Sequence, residues 1–184
     1  MAHIEIENLT FSYPSAGRPS LSDVSMTIRR GEYVVLCGKS GSGKTTLLRH
    51  LKSVLAPHGK RSGDIRINGV SLKDMSQRDQ AAKVGFVMQN PDDQIVTDKV
   101  WHELAFGLES LGCDQKTMRA RVAEMACYFG IQDWFHRDVA NLSGGQKQLL
   151  NLASIMAMQP EILIRDEPTS QLDQTGRASG RETS

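Results

Sequence analysis

Eight residues, GKSGSGKT at 38–45, constrain this chain more than any other stretch. Three of them are glycine and the rest are small, polar or basic, so neither a strand nor a helix can run through them and the backbone must turn. The flanks differ in kind. YVVLC at 33–37 is a continuous apolar run, the mark of a strand covered on both faces, while TTLLRHL at 45–51 places its leucines on one helical face. A covered strand that passes through glycines directly into a helix belongs to a parallel sheet with helical connections, so an α/β fold is expected.

In such a turn the loop N–H groups and the helix N-terminus converge on one point, where the helix dipole favours an anion. The stretch fits G-x-x-x-x-G-K-[ST], a phosphate-binding loop. Gly38, Gly41 and Gly43 let the backbone approach a β-phosphate, with Ser40 and Ser42 as further donors. Lys44 supplies a charge for the β- and γ-phosphates, and the Thr45 hydroxyl, followed by Thr46, is placed to ligate Mg²⁺. Near the other end, the apolar run ILI at 162–164 leads to two adjacent carboxylates, Asp166 and Glu167. An Asp at a strand tip can hold magnesium through water, and a Glu beside it can orient or deprotonate an attacking water, so a nucleotide-hydrolysing site is expected.

Around these motifs the pattern changes. Ile4 and Ile6 alternate with Glu5 and Glu7, Val24, Met26 and Ile28 alternate with polar residues, and Ile65 and Ile67 precede Asn68-Gly69, which predicts an antiparallel β lobe with a hairpin. VGFVM at 84–88 reads as a further covered strand. Beyond it, Val100, Leu104, Leu108 and Leu111, then Met118, Val122, Met125, Ala126 and Phe129, recur at helical spacing, which predicts a helical insertion over 90–142. The expected fold is a P-loop NTPase parallel-sheet core with an antiparallel β lobe and a helical insertion, occupying 1–173 and followed by a solvated tail at 174–184. A chain of 184 residues that is 39% hydrophobic can bury one such core. Its 22 basic and 21 acidic residues show no concentration of charge for nucleic acid, and no nucleic-acid partner is expected. The first residues lack the basic and apolar regions of a signal peptide, and LLNLASIMAM at 149–158 is too short to cross a bilayer, so a cytoplasmic location is expected. Cys37, Cys113 and Cys127 are too far apart for a CxxC pair and read as reduced thiols.

LSGGQ at 142–146 narrows the reading. Ser143 and Gln146 form a capping box at the start of an apolar helical run, yet Gly144 and Gly145 in its first turn cost helix stability. They make sense where a backbone must come close to an anion at an exposed helix end.

With these motifs in order, the chain resembles the ATP-binding cassette family up to Asp173: GKSGSGKT as its Walker A loop, QNPDDQ from Gln89 as its Q-loop, LSGGQ as its signature, ILIRDEP as its Walker B segment and SQLD as its D-loop. The resemblance implies that two cassettes, identical or different, pack head to tail, so that Ser143, Gly144, Gly145 and Gln146 of one close over the γ-phosphate held by Lys44 of the other. It also implies that Tyr13, in FSYP, stacks on the adenine of ATP, that Gln89 senses Mg²⁺ and the attacking water, and that Asp166 and Glu167 are the metal and base residues. FVMQNPDDQIVTDKVWHELAFGLESLG at 86–112 is similar to the energy-coupling factor importers of vitamins and metal ions, which implies a transmembrane partner, a place on the cytoplasmic face of the membrane, and candidate contacts at Val96, Val100, Trp101 and Phe106. Two features depart from the family. Arg165 stands where an apolar residue is usual, and none of His3, His50, His58, His102 or His136 takes the place of the histidine that contacts the γ-phosphate. The chain is therefore expected to be a fragment, or a frame-shifted or prematurely ended cassette; a soluble cassette protein and an ATP-binding fragment without turnover are the alternatives.

Overall fold

The structure, a computed structural model, describes residues 2–14 and 16–166. These divide into two compact units, residues 2–85 with 160–162 and residues 86–159 with 163–166.

The first unit is built on an antiparallel sheet of order β2-β1-β3-β4, with β1 at Ala2–Ser12, β2 at Leu21–Arg29, β3 at Lys60–Ile67 and β4 at Val70–Ser71. Strict alternation along β1 would send Ile4 and Ile6 to one face and Leu9 and Phe11 to the other, but all four are buried. A bulge resolves the conflict: the register shifts between Ile6 and Leu9 against β2 and between Glu7 and Thr10 against β3, with Asn8 at φ 48°. Gly63 makes room on β3, since a Cβ there would lie 2.5 Å from the carbonyl oxygens of both Glu7 and Asn8. The expected hairpin is present, with Ile67 paired to Val70 across Asn68-Gly69. Helix α1 (Lys44–His50) buries Thr46, Leu47 and His50, and α2 (Gln77–Lys83) is capped by Ser76, whose hydroxyl accepts from Asp79 N at 3.1 Å.

One expectation fails here. YVVLC belongs to no strand or helix, and Tyr33, Val34 and Val35 are exposed, Tyr33 by 93%. The apolar run states a preference for cover, whereas a ladder requires a neighbouring backbone, and no described segment lies along this one.

The second unit is mostly helical: α3 (Val100–Ser110), α4 (Gln115–Tyr128) and α5 (Gly144–Ala157) enclose a core that includes Val100, Leu104, Leu108, Val122, Ile131 and Leu150. Of the predicted stripes Val100, Leu104, Leu108, Val122 and Ala126 belong to it and Met118, Met125 and Phe129 pack at its margin, whereas Leu111, the C-cap of α3, is half-buried outside it. The strand β5 (Val84–Val87) is buried at all four positions, as its composition requires, and has β6 (Ile162–Arg165) as its neighbour. β6 alternates instead: Ile162 and Ile164 are buried, Leu163 and Arg165 exposed. Arg165, standing where the family usually has an apolar residue, therefore reaches water and carries no burial cost. Among the described residues no helix is long and apolar enough to cross a membrane.

Candidate active site

In the first unit, residues 38–42 of the glycine loop are exposed, Gly43, Lys44 and Thr45 are half-buried, and Thr46 is buried. Gly43 caps α1 from φ 92°, and a Cβ on it would sit 2.6 Å from Ser20 O and 3.1 Å from Leu21 Cδ2, so the loop lies flush against the start of β2. Its carbonyl accepts the first helical bond, from Leu47 N at 2.8 Å. The Lys44 ammonium folds back over the loop, donating to Gly38 O at 2.9 Å and Lys39 O at 3.0 Å. This holds the charge against the loop's own carbonyls, within reach of a phosphate bound by the loop. Tyr13, 33 residues from Thr46 in the chain, is drawn to the same place: its hydroxyl is 3.2 Å from Thr46 Oγ1 and its ring meets Phe11 edge-on at 4.9 Å.

In the second unit, Gln89 leaves β5 exposed, while Asp166 follows β6 and is 4% exposed, its N–H donating to Val87 O at 3.1 Å. Gln89, Gln148, Asn151, Arg165 and Asp166 line one small polar cavity. The structure thus brings together Gln89 and Asp166, two residues assigned to magnesium from sequence; Glu167 lies outside the described residues. Among the described residues no cluster of three His, Cys, Asp or Glu side chains forms a preset metal cage. The Gln89 amide and the Asp166 carboxylate nevertheless offer hard oxygen donors of the kind Mg²⁺ takes, with water and phosphate oxygens completing its shell.

The signature segment starts α5 as predicted. Ser143 Oγ accepts from Gln146 N at 3.3 Å and Gln146 Oε1 accepts from Ser143 N at 2.9 Å, the two halves of a capping box. Ser143, Gly144 and Gly145 are exposed, and a Cβ on Gly145 would meet nothing within 4 Å, so no internal contact demands a glycine there.

The model of the ABC transporter family matches residues 21–170. The chain belongs to that family. An ABC transporter ATP-binding protein of Bacillus cereus is 47% identical over 173 residues, 94% of this chain and 31% of that protein. The energy-coupling factor transporter ATP-binding protein EcfA1 of Latilactobacillus sakei is 43% identical over 180 residues, 98% of this chain and 63% of that one. The chain therefore spans from under a third to somewhat under two thirds of these relatives' lengths. Among solved structures, cbiO1 of Clostridium perfringens, part of the ABC transporter complex cbiONQ, superposes with a TM-score of 0.78 at 30% identity, covering 94% of this chain and 68% of that one. The fold is accordingly that of an ABC ATPase, the P-loop NTPase architecture read from the glycine loop.

Several cassette residues that hold the Q-loop in place were not anticipated. Gln94 bridges across it, accepting from Met88 N at 2.9 Å and donating to Phe86 O at 3.0 Å. Lys147 of α5 pairs with Asp92 at 2.6 Å, and Asn151, 1% exposed, donates to Pro91 O at 3.1 Å. Glu103, 4% exposed, accepts from Val96 N at 3.2 Å and from Thr97 N and Oγ1 at 2.9 Å each. A signal existed for Asn151, a lone amide in the apolar run LLNLASIMAM, since a buried amide must find a partner. Of the surface contacts suggested for a membrane partner, Val96, Trp101 and Phe106 are exposed, whereas Val100 is fully buried and serves the core.

Proposed function

We propose that this chain is the ATP-binding and ATP-hydrolysing part of an energy-coupling factor type importer, working as one of two cassettes and driving uptake of a small molecule such as a vitamin or metal ion through a transmembrane partner at the cytoplasmic face of the membrane. The observation that carries this reading is the similarity to EcfA1 over 98% of the chain, which includes the Q-loop and α3 segment where a partner would dock. Tyr13 stacks on the adenine; Gly38, Ser40, Gly41, Ser42 and Gly43 present N–H and hydroxyl donors to the phosphates; Lys44 neutralises the β- and γ-phosphates. Thr45, Gln89 and Asp166 would hold Mg²⁺, which offsets charge on the phosphate oxygens when bound. Glu167 orients and deprotonates the attacking water, and Ser143, Gly144, Gly145 and Gln146 face the nucleotide of the second cassette. Donors fixed in advance contribute most where charge develops, so the capping box that rigidifies Ser143 also serves catalysis.

The test couples binding to partnership. Lys44→Ala leaves triphosphate charge unpaired and is expected to weaken ATP binding by about 1.5–3 kcal/mol, roughly tenfold to a hundredfold. Unaltered affinity in a nucleotide titration would remove the site assignment. The importer reading needs, in addition, that the protein copurify from solubilised membranes with a multi-span subunit; recovery with ribosomes instead would favour a soluble cassette.

A further inference from the structure

His50 closes a ring of contacts that no motif announces. It is the last residue of α1 and is fully buried. Its Nδ1 lies 2.7 Å from Thr46 O, and because a carbonyl only accepts, Nδ1 carries the proton. The imidazole meets Phe11 edge-on at 4.6 Å, Phe11 meets Tyr13 edge-on at 4.9 Å, and the Tyr13 hydroxyl returns to Thr46 Oγ1 at 3.2 Å. Two arms thus run from one imidazole to one tyrosine, through the Thr46 backbone and through the Phe11 ring.

The Phe11 arm has little slack. Phe11 is 1% exposed, it pairs with Arg61 on β3 and Leu21 on β2, and a Cβ on Gly59 would lie 2.7 Å from its ring atoms. A ring so confined transmits displacement rather than absorbing it. The imidazole is also chemically odd for a mere filler: its Nε2 is buried without a partner, as are Nε and Nη2 of Arg61, whose charge the imidazole feels. An apolar side chain of similar size would carry no such orphaned atom, so packing alone does not explain a histidine here.

We propose that His50 is a positioning residue for nucleobase recognition, setting the angle and height of the Tyr13 ring relative to the phosphate-binding helix through Thr46 and Phe11. The inference rests on the reading of Tyr13 as the adenine-stacking group. It predicts that His50 contributes to binding of the base and not of the phosphates, although it belongs to the phosphate-binding helix.

The experiment compares ATP with inorganic tripolyphosphate as titrants. His50→Ala removes both arms and is expected to lower ATP affinity by roughly five- to tenfold, the lower range for loss of a base–aromatic stack, with tripolyphosphate affinity unchanged. In a Tyr13→Ala background the same substitution has no further effect on ATP. His50→Phe keeps the ring and the fold while removing the Thr46 arm, and gives a smaller loss of the same selective kind. Equal losses for both titrants, additive losses with Tyr13→Ala, or no loss in either His50 variant overturn the proposal. If Tyr13→Ala itself leaves the ratio of ATP to tripolyphosphate affinity unaltered, the stacking assignment fails first and takes this inference with it.

Discussion

Glu103 offers the sharpest test of how the cassette shapes its Q-loop region. One carboxylate oxygen accepts from Val96 N at 3.2 Å, Thr97 N at 2.9 Å and Thr97 Oγ1 at 2.9 Å, and the side chain is 4% exposed. Glu103→Ala removes all three acceptor contacts. The Thr97 hydroxyl keeps its bond to Lys99 O at 3.1 Å, and Val96 is 63% exposed, so water can reach its N–H. The Thr97 N–H loses most, and a hydrogen bond to a charged acceptor contributes about 1.5–3 kcal/mol. Adding a partial loss at Val96, the expected destabilisation is about 2–4 kcal/mol. Urea unfolding with an unchanged m-value measures it, with Glu103→Gln, which keeps one acceptor, falling between the variant and the parent. The same change loosens the exposed segment around Val96 without touching the glycine loop, so under the proposed importer role copurification with a transmembrane subunit falls while ATP affinity holds. A destabilisation within about 0.5 kcal/mol, the range of ordinary surface substitutions, would refute the view that this carboxylate organises the segment.

Four further outcomes are expected. Gly43→Ala places a Cβ 2.6 Å from Ser20 O at φ 92°, and should cost about 1–3 kcal/mol in thermal unfolding and weaken ATP binding, since the loop must move off β2. Arg165→Leu, at an exposed position of β6, should leave stability within about 0.5 kcal/mol in either direction; a clear rise in the unfolding midpoint would show that the strand is covered. Burial first, then the Arg61 charge, hold the His50 imidazole below the ordinary value of 6.5, against the opposing pull of Thr46 O. The unfolded chain therefore binds more protons just below pH 6.5, and stability should fall as pH drops from there through the lowered value, a loss absent in His50→Phe. Asp64 behaves separately: the Ser71 hydroxyl is the main cause holding its carboxyl below 3.8, so the stability it contributes is lost only under that pH.

What the sequence made legible follows from the range of each interaction. The glycine loop, the Asn68-Gly69 hairpin and the Ser143–Gln146 capping box are decided by residues within a turn of one another, and each is found where it was read. The helical stripes of α3 and α4 were equally plain, because periodicity is a local property even when the core it serves is not. Pairing is another matter. YVVLC and VGFVM are both unbroken apolar runs, yet only the second forms a buried strand, since apolar character favours cover and says nothing of which backbone runs alongside. Arg165 shows the converse: the apolar run before it suggests a strand covered on both faces, where a charge would be costly, but exposure alternates along β6 and the side chain faces water.

Lys147, Asn151 and Glu103, the unread polar residues outside the motifs, either have partners distant in sequence or are themselves hidden inside an apolar pattern. Lys147 reaches Asp92 and Asn151 reaches Pro91 across more than 50 residues, and Glu103 stands beside Leu104 in a stripe that reads as core. None of them belongs to a motif, and none would touch a nucleotide; each fixes the loop that carries Gln89 or the segment that follows it. The motifs therefore name the chemistry, while its geometry is held by side chains whose only sequence signature is being polar where burial is expected. A buried polar group without a partner costs more than its hydrogen bond contributes, so such positions should tolerate substitution less well than exposed motif residues tolerate it for folding. His50 belongs to this second class, and it is there, among buried polar residues outside the motifs, that the remaining determinants of nucleotide binding are to be sought.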